Sequence, residues 1–203
     1  MRIRKTDESG QKSVTHVAQP VLPNLLGRRT EEPSAMPSRA YLSLGSNVGD
    51  RQGNLRGAID RLSALGEVSA VWSFYETEPV EFIDQPWFLN CAVALTTAHP
   101  PRLLLDALLA IEQSMGRRRT QLKGPRTIDL DILLYGDKVV HEAGLTIPHP
   151  ALAERRFVLE PLVEIAPDLI HPVLRKTMRQ LRDELPAGQT VRRLEAGPRD
   201  GKS

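Results

Sequence analysis

The run Gly124-Pro125-Arg126-Thr127-Ile128-Asp129-Leu130-Asp131-Ile132-Leu133-Leu134 changes character at Thr127. From there to Leu134 the side chains alternate: Ile128, Leu130, Ile132 and Leu134 fall on one side, Asp129, Asp131 and Leu133 on the other. A period of two is that of a β-strand with one face in a core. The two carboxylates then share a face, with Cα atoms about 7 Å apart. Two acids on a rigid strand, beside the basic segment from Arg117 to Arg126, suit a hard cation such as Mg²⁺ carrying phosphate oxygens. The pattern alone fits a strand with a solvated acidic face equally well.

The neighbouring segments supply the rest of a sheet. Ala40 to Ser46 reads as a short strand ending in Gly45-Ser46-Asn47. Behind Asp50, Leu55, Ile59, Leu62 and Leu65 recur at helical spacing, and Gly66 stops that helix. Val68 to Tyr75 is a second strand, followed by a proline-bearing connection from Glu76 to Pro86. Phe88 to Thr96 is a third, with Phe88, Asn90, Ala92 and Ala94 on one face and Leu89, Cys91, Val93 and Leu95 on the other. Pro100-Pro101 opens a second helix with the stripe Leu104, Leu105, Leu108, Ile111 and Met115, ended by Gly116. Gly116 to Gly124 has no apolar pattern and reads as a basic loop. After the acidic strand come a turn at Tyr135-Gly136-Asp137, a short strand from Val139 and an extended stretch from Thr146 to Pro150. Phe157 to Ile165 reads as a helix interrupted by Pro161, and Leu174 to Leu185 as a final helix. The order βαββαβ, with additions after the fourth strand, predicts a ferredoxin-like α/β sandwich.

Residues 1–38 lack periodicity and are rich in polar, charged and proline residues, so a disordered extension is expected, too short for a fused domain. Met36 offers an alternative start just before the first strand. The folded domain is expected over 39–185 and a loose polar tail over 186–203. A formal charge of +2 is too small for a general nucleic-acid binder. The single cysteine, Cys91, excludes an intramolecular disulfide and reads as a buried small hydrophobe. No apolar run is long enough to span a bilayer, and the charged N-terminus lacks a signal core, so a cytoplasmic protein is expected. There is no glycine-lysine phosphate loop, so a nucleotide would have to be held by arginines and metal.

Five segments carry a family resemblance. Gly124 to Asp131 closely resembles the signature of 6-hydroxymethyl-7,8-dihydropterin pyrophosphokinase, an enzyme of folate synthesis. Leu44-Gly45-Ser46-Asn47, Ser73-Phe74-Tyr75-Glu76-Thr77, Asp84-Gln85-Pro86-Trp87-Phe88-Leu89-Asn90 and Leu145-Thr146-Ile147-Pro148-His149-Pro150 agree, in the family's order. The resemblance runs from about Ala40 to about Pro172. It implies the same fold and a transfer of pyrophosphate from ATP to 6-hydroxymethyl-7,8-dihydropterin, giving AMP and the pterin pyrophosphate.

The resemblance also implies roles. Asp129 and Asp131 would hold two Mg²⁺ ions. Arg117, Arg119 and Arg126 would be catalytic, meeting the phosphates of ATP through paired guanidinium donors that lysine cannot copy. Glu112, Ile132, Thr146, His149 and Arg155 match ATP-binding positions. Gly45, Thr77, Pro79, Val80, Phe88, Asn90, Arg126 and Phe157 match the pterin site, where a flat heterocycle needs aromatic faces and an amide for its hydrogen-bonding edge. The residues by themselves also permit plainer readings: solvated arginines at a helix end, an exposed Glu112, a structural His149, and Phe88 and Phe157 as core aromatics. Three positions depart from the family pattern. Lys123 stands where an aromatic is common, Leu122 where a basic residue is usual, and Glu78 where a proline is common. A closing lid over 116–124 is expected, with Lys123 altering its seal. The partners implied are the two small-molecule substrates acting on a monomer. A nucleic-acid-binding module of the same fold is disfavoured by the 4% aromatic content and the acids on the central strand. A catalytically silent relative is left open by Leu122 and Lys123.

Overall fold

Strand β1 (Ser38–Ser46) lies between β4 (Phe88–Thr97) and β5 (Asp129–Tyr135), antiparallel to both. The computed structural model describes residues 36–71, 73–80, 84–117 and 124–194, and the expected N-terminal extension lies almost wholly outside them. Beyond β4 come β2 (Glu67–Val71), β3 (Tyr75–Thr77) and β8 (Val191–Arg193), giving the order β5-β1-β4-β3-β8 with β2 also paired to β4. Counting β2 and β3 as one strand, the sheet runs fourth-first-third-second, as the ferredoxin-like expectation requires. The expected single strand from Val68 to Tyr75 is two because the registers differ: Val71 faces Val93, but Tyr75 faces Asn90. Four residues on the edge cannot follow three on β4, so pairing lapses between them.

The alternation read from β4 sorts the core into two layers. Leu89, Cys91, Val93 and Leu95, with Leu42, Leu44, Leu130 and Ile132, face helices α1 (Arg51–Leu62) and α2 (Pro101–Ser114). Tyr41, Ala92, Ala94, Leu133 and Leu134 face helices α3 (Arg156–Ile165) and α4 (Met178–Glu184). Cys91 is buried as expected, and burial pushes its thiol pKa up to about 12. Helix α1 starts on the Asp50 side chain, which accepts from the Gly53 amide at 2.9 Å. At Gly66, an added Cβ would lie 2.2 Å from the Thr96 carbonyl oxygen, so only glycine allows that return to the sheet.

Four expectations are corrected here. Leu134 does not share the face of Ile128: β1 pairs Tyr41 with Leu134 but Leu42 with Ile132, so Leu133 is a bulge and Leu134 turns to the second layer. Pro161 does not interrupt α3, because Val158, Leu159 and Leu162 bury the helix around it. The last helix begins at Met178 rather than Leu174. Thr177 and Gln180 form a capping box there, and Arg175, at φ 57°, holds the preceding turn out of helix. The expected loose tail contains β8, which pairs Val191–Arg193 with Tyr75–Thr77. A hairpin of β6 (Val140–Glu142) and β7 (Leu145–Ile147) leads to a cis Ile147-Pro148 bond and to His149, whose amide donates to Leu133 O at 2.9 Å. Among the described residues no helix is long and apolar enough to cross a membrane.

Candidate active site

One face of the sheet is only half covered. Near Tyr41, Ala92, Ala94 and Leu133 it packs under α3 and α4. Farther along, the same face carries Ser43, Gly45, Asn90, Asp129 and Asp131, and there a cavity of about 260 Å³ opens. Its walls bring together Gly45, Thr77, Pro79, Val80, Phe88 and Asn90 with Arg117, Arg126, Asp129, Asp131, Arg155 and Phe157. Ser43, Glu78 and Gln85 also line it, and sequence reading assigned them no role. Ser43 was legible as the residue two before Gly45 on the same strand face.

The apolar end is built on β3 and β4. Asn90 is 3% exposed, and its amide donates to Thr77 Oγ1 at 2.8 Å, leaving its carbonyl oxygen turned toward Gly45. A Cβ at Gly45 would sit 2.6 Å from that oxygen, so glycine keeps the amide edge accessible. Phe88 and Phe157 each lie under a guanidinium, Arg126 at 5.7 Å and Arg155 at 5.6 Å from the ring centres. Both aromatics line the cavity, and Phe157 also packs against the second core layer.

The charged end is built on β5 and α2. Leu104, Leu108 and Glu112 follow at intervals of four and are all buried, so the apolar stripe of α2 ends in a carboxylate that is 2% exposed. Glu112 Oε1 accepts from the Leu130 amide at 2.7 Å, between the two aspartates, and pairs with Arg117. A leucine there would contribute roughly 1.5–3 kcal/mol by burial but could neither accept from the Leu130 amide nor hold Arg117. Burial raises the Glu112 pKa even though the Leu130 amide and Arg117 pull it down. Asp129 pairs with Arg117 at 2.7 Å and Arg126 at 2.5 Å. Burial, then the Asp129 and Glu112 charges, push the Asp131 pKa up to about 7. Asp131 shares the cavity wall with Arg155, whose charge, with that of Arg117, pulls its pKa down.

Asn47 fixes this end to the other and was legible only as part of a motif. It is 2% exposed; its Oδ1 accepts from the Arg126 amide at 2.8 Å, and its Nδ2 donates to Gln85 Oε1 at 3.0 Å and Pro86 O at 3.2 Å.

The expected site residues Glu112, Ile132, Thr146 and His149 do not line the cavity. Glu112 supports it from beneath, and the Ile132 side chain is committed to the core. His149 lies close enough that Arg155, after burial, lowers its pKa, and its Nδ1 accepts from the Ala151 amide at 3.2 Å. Arg119, Leu122, Lys123 and most of the expected lid lie outside the described residues.

The donor set fits a divalent cation that prefers oxygen. Asp129 and Asp131 share one strand face and both line the cavity, so their carboxylate oxygens are the hard donors such a cation takes. Among the described residues no three His, Cys, Asp or Glu side chains cluster as a complete protein-supplied site.

The model of the family 7,8-dihydro-6-hydroxymethylpterin-pyrophosphokinase (HPPK) matches residues 41–167. The chain belongs to that family. The family is named for a pyrophosphokinase of 7,8-dihydro-6-hydroxymethylpterin. The chain is 47% identical over 135 residues to the 2-amino-4-hydroxy-6-hydroxymethyldihydropteridine pyrophosphokinase of Methylorubrum extorquens, covering 66% of this chain and 85% of that one. The Aquifex aeolicus protein of the same name is 40% identical over 144 residues, 71% of this chain and 90% of that one. The Folic acid synthesis protein fol1 of Schizosaccharomyces pombe is 47% identical over 150 residues; the match covers 73% of this chain, which spans only 20% of fol1. Among solved structures, wild-type Plasmodium falciparum HPPK-DHPS with pterin and p-hydroxybenzoate superposes with a TM-score of 0.60 at 18% identity, over 75% of this chain and 42% of that one. That likeness bears on the fold.

Proposed function

We propose that the cavity binds 6-hydroxymethyl-7,8-dihydropterin at its aromatic end and the phosphates of ATP at its charged end. The hydroxymethyl oxygen then attacks the β-phosphorus, a pyrophosphoryl group is transferred, and AMP leaves. The observation that carries this is the junction inside one cavity of Phe88, Asn90, Thr77 and Phe157 with Asp129, Asp131, Arg117, Arg126 and Arg155. A flat, amide-edged ring fits the first set and a polyphosphate the second.

In this reading Phe88 and Phe157 hold the ring faces, while Asn90 and Thr77 meet its hydrogen-bonding edge and exclude water from it. Arg126, stacked on Phe88 and paired with Asp129, stands between the two ends and orients the attacking hydroxymethyl group against the phosphates. Arg117 and Arg155 hold phosphate oxygens, and Glu112 fixes Arg117 so that its free donors face the cavity. His149 and Thr146 flank the nucleoside part of ATP, to which Ile132 offers only its main chain. Arg119 keeps the phosphate role that the resemblance gives it. Asp129 and Asp131 would hold two Mg²⁺ ions, which when bound supply charge neutralisation at the transferring group. Catalysis rests on positioning and charge, with no dedicated general base.

The common strand face of Asp129 and Asp131 in the cavity wall supports the metal assignment. A cytoplasmic monomer acting on small molecules, and not on nucleic acid, is the setting we propose. AMP release from ATP by the purified protein, measured with and without 6-hydroxymethyl-7,8-dihydropterin, is the test. Release that requires both the pterin and Mg²⁺ is expected. Release that ignores the pterin would refute the reading.

A further inference from the structure

The family match ends at residue 167, yet the chain returns to the site after it. Between α4 and β8, Gln189 reaches both walls of the pterin end. Its Oε1 accepts from the Phe157 amide at 3.2 Å, and its Nε2 donates to Glu78 O at 3.3 Å. Phe157 is the second residue of α3, whose own N-cap, Arg155, supplies no side-chain cap. Gln189 therefore takes up one of the amides that a helix start leaves without a partner, from 32 residues away. The next residue repeats the tie: Thr190 N donates to Glu78 Oε2 at 3.2 Å, and Glu78 N donates to Thr190 O at 3.3 Å. Arg192 then stacks over Trp87, beside Phe88, at 5.1 Å.

Glu78 explains the local chemistry. A proline at this position would have neither the amide that donates to Thr190 nor the carboxylate that accepts from it. Glu78 precedes Pro79 and Val80, which line the cavity together with Phe157. The segment from Gln189 to Thr190 thus joins Glu78 to the start of α3.

We propose that Gln189, with Thr190 and Glu78, is a positioning clamp that sets the spacing between the two walls of the pterin site. This rests on the proposed function, since it assigns the clamp to pterin rather than ATP recognition. Gln189 touches no reacting atom. Its loss should relax the Phe157 wall and weaken pterin binding, while the charged end, held by Glu112 and Asn47, stays in place.

The test uses the full chain and three variants: Gln189→Ala, Gln189→Glu and Glu78→Pro. Pterin binding is followed by the intrinsic fluorescence of 6-hydroxymethylpterin, and KM is measured separately for both substrates. Gln189→Ala should raise the pterin Kd and KM by roughly tenfold, about the worth of one or two net hydrogen bonds, with kcat and the ATP KM within about twofold of wild type. Gln189→Glu keeps the acceptor for Phe157 but loses the donor to Glu78, and should recover part of the loss. Glu78→Pro should match Gln189→Ala. Amide exchange at Phe157 should quicken in Gln189→Ala. Equal rises in both KM values, or a fall in kcat alone, would show a merely structural role and overturn the clamp. So would unchanged pterin affinity with unchanged exchange at Phe157. A wild-type protein that binds no pterin would refute the functional reading itself, and the clamp with it; a wild type that binds normally beside an unaffected Gln189→Ala would refute the clamp alone.

Discussion

Replacing Asp131 with asparagine should strengthen the fold and abolish the reaction. The Asp131 carboxyl has its pKa raised from 3.8 to about 7, by burial first and then by Asp129 and Glu112, with Arg155 and Arg117 pulling the other way. A raised carboxyl pKa means that the folded chain prefers the neutral acid. The ionisation cost is absent below the ordinary pKa near 3.8, grows between there and about 7, and is complete above 7. At 1.36 kcal/mol for each pKa unit the ceiling is about 4 kcal/mol, and relaxation around a partly accessible group lowers it to roughly 1–3 kcal/mol. D131N has the same shape and no charge. In urea unfolding with a chelator present, it should exceed wild type by that amount at pH 8, and the gain should shrink toward zero as pH falls to 4. Its turnover should drop by at least ~10³-fold, because a carboxylate that carries the cation is gone. Mg²⁺ with a non-hydrolysable ATP analogue should stabilise wild type and leave D131N unmoved. A variant less stable than wild type at pH 8 would refute the electrostatic reasoning. Near-normal Mg²⁺-dependent turnover would refute the metal assignment.

Asn47→Ala removes three side-chain hydrogen bonds around a buried amide and should cost about 2–3 kcal/mol in urea unfolding, with weakened binding of both substrates. A loss below about 0.5 kcal/mol would show that solvent takes over those partners. Gly45→Ala should fold normally but displace the Asn90 amide, lowering pterin affinity by tenfold or more with ATP affinity unchanged, as isothermal titration of each ligand would reveal. Burial lowers the His171 pKa, and its Nδ1 accepts from the Val173 and Leu174 amides. The neutral ring is thus the folded form, its stabilisation is full above pH 6.5 and is lost as pH falls below that value, and H171N should show a flatter stability profile from pH 7 to 5.

The central strand was legible because period-two alternation follows directly from the pleat. The shared face of Asp129 and Asp131 came with it, and so did the division of β4 into core and cavity faces. What alternation cannot show is a bulge. Leu133 and Leu134 are both apolar, so the sequence holds no mark of the extra residue that sends Leu134 to the second layer. The break between β2 and β3 is likewise a property of register against β4 and not of local composition. Glu112 was recognised by family likeness, but its burial was readable from Leu104 and Leu108 at intervals of four. The start of α4 was readable too, since Thr177 and Gln180 have capping-box spacing. Strand β8 was not, because three residues, two of them arginine, carry no periodic signal and owe their conformation to β3.

That same short strand governs how the sheet meets its surroundings. An open strand edge offers a row of unpaired amides and carbonyls to any other extended chain. Here β3, only three residues long, is covered by β8, whose Arg192 and Arg193 carry positive charge to the rim. At the opposite rim, the segment after β7 takes up the Leu133 carbonyl through the His149 amide. Part of each rim is therefore shielded by a piece that also serves the cavity, so a truncation before Gln189 would trade a loosened pterin wall for an exposed β3 edge.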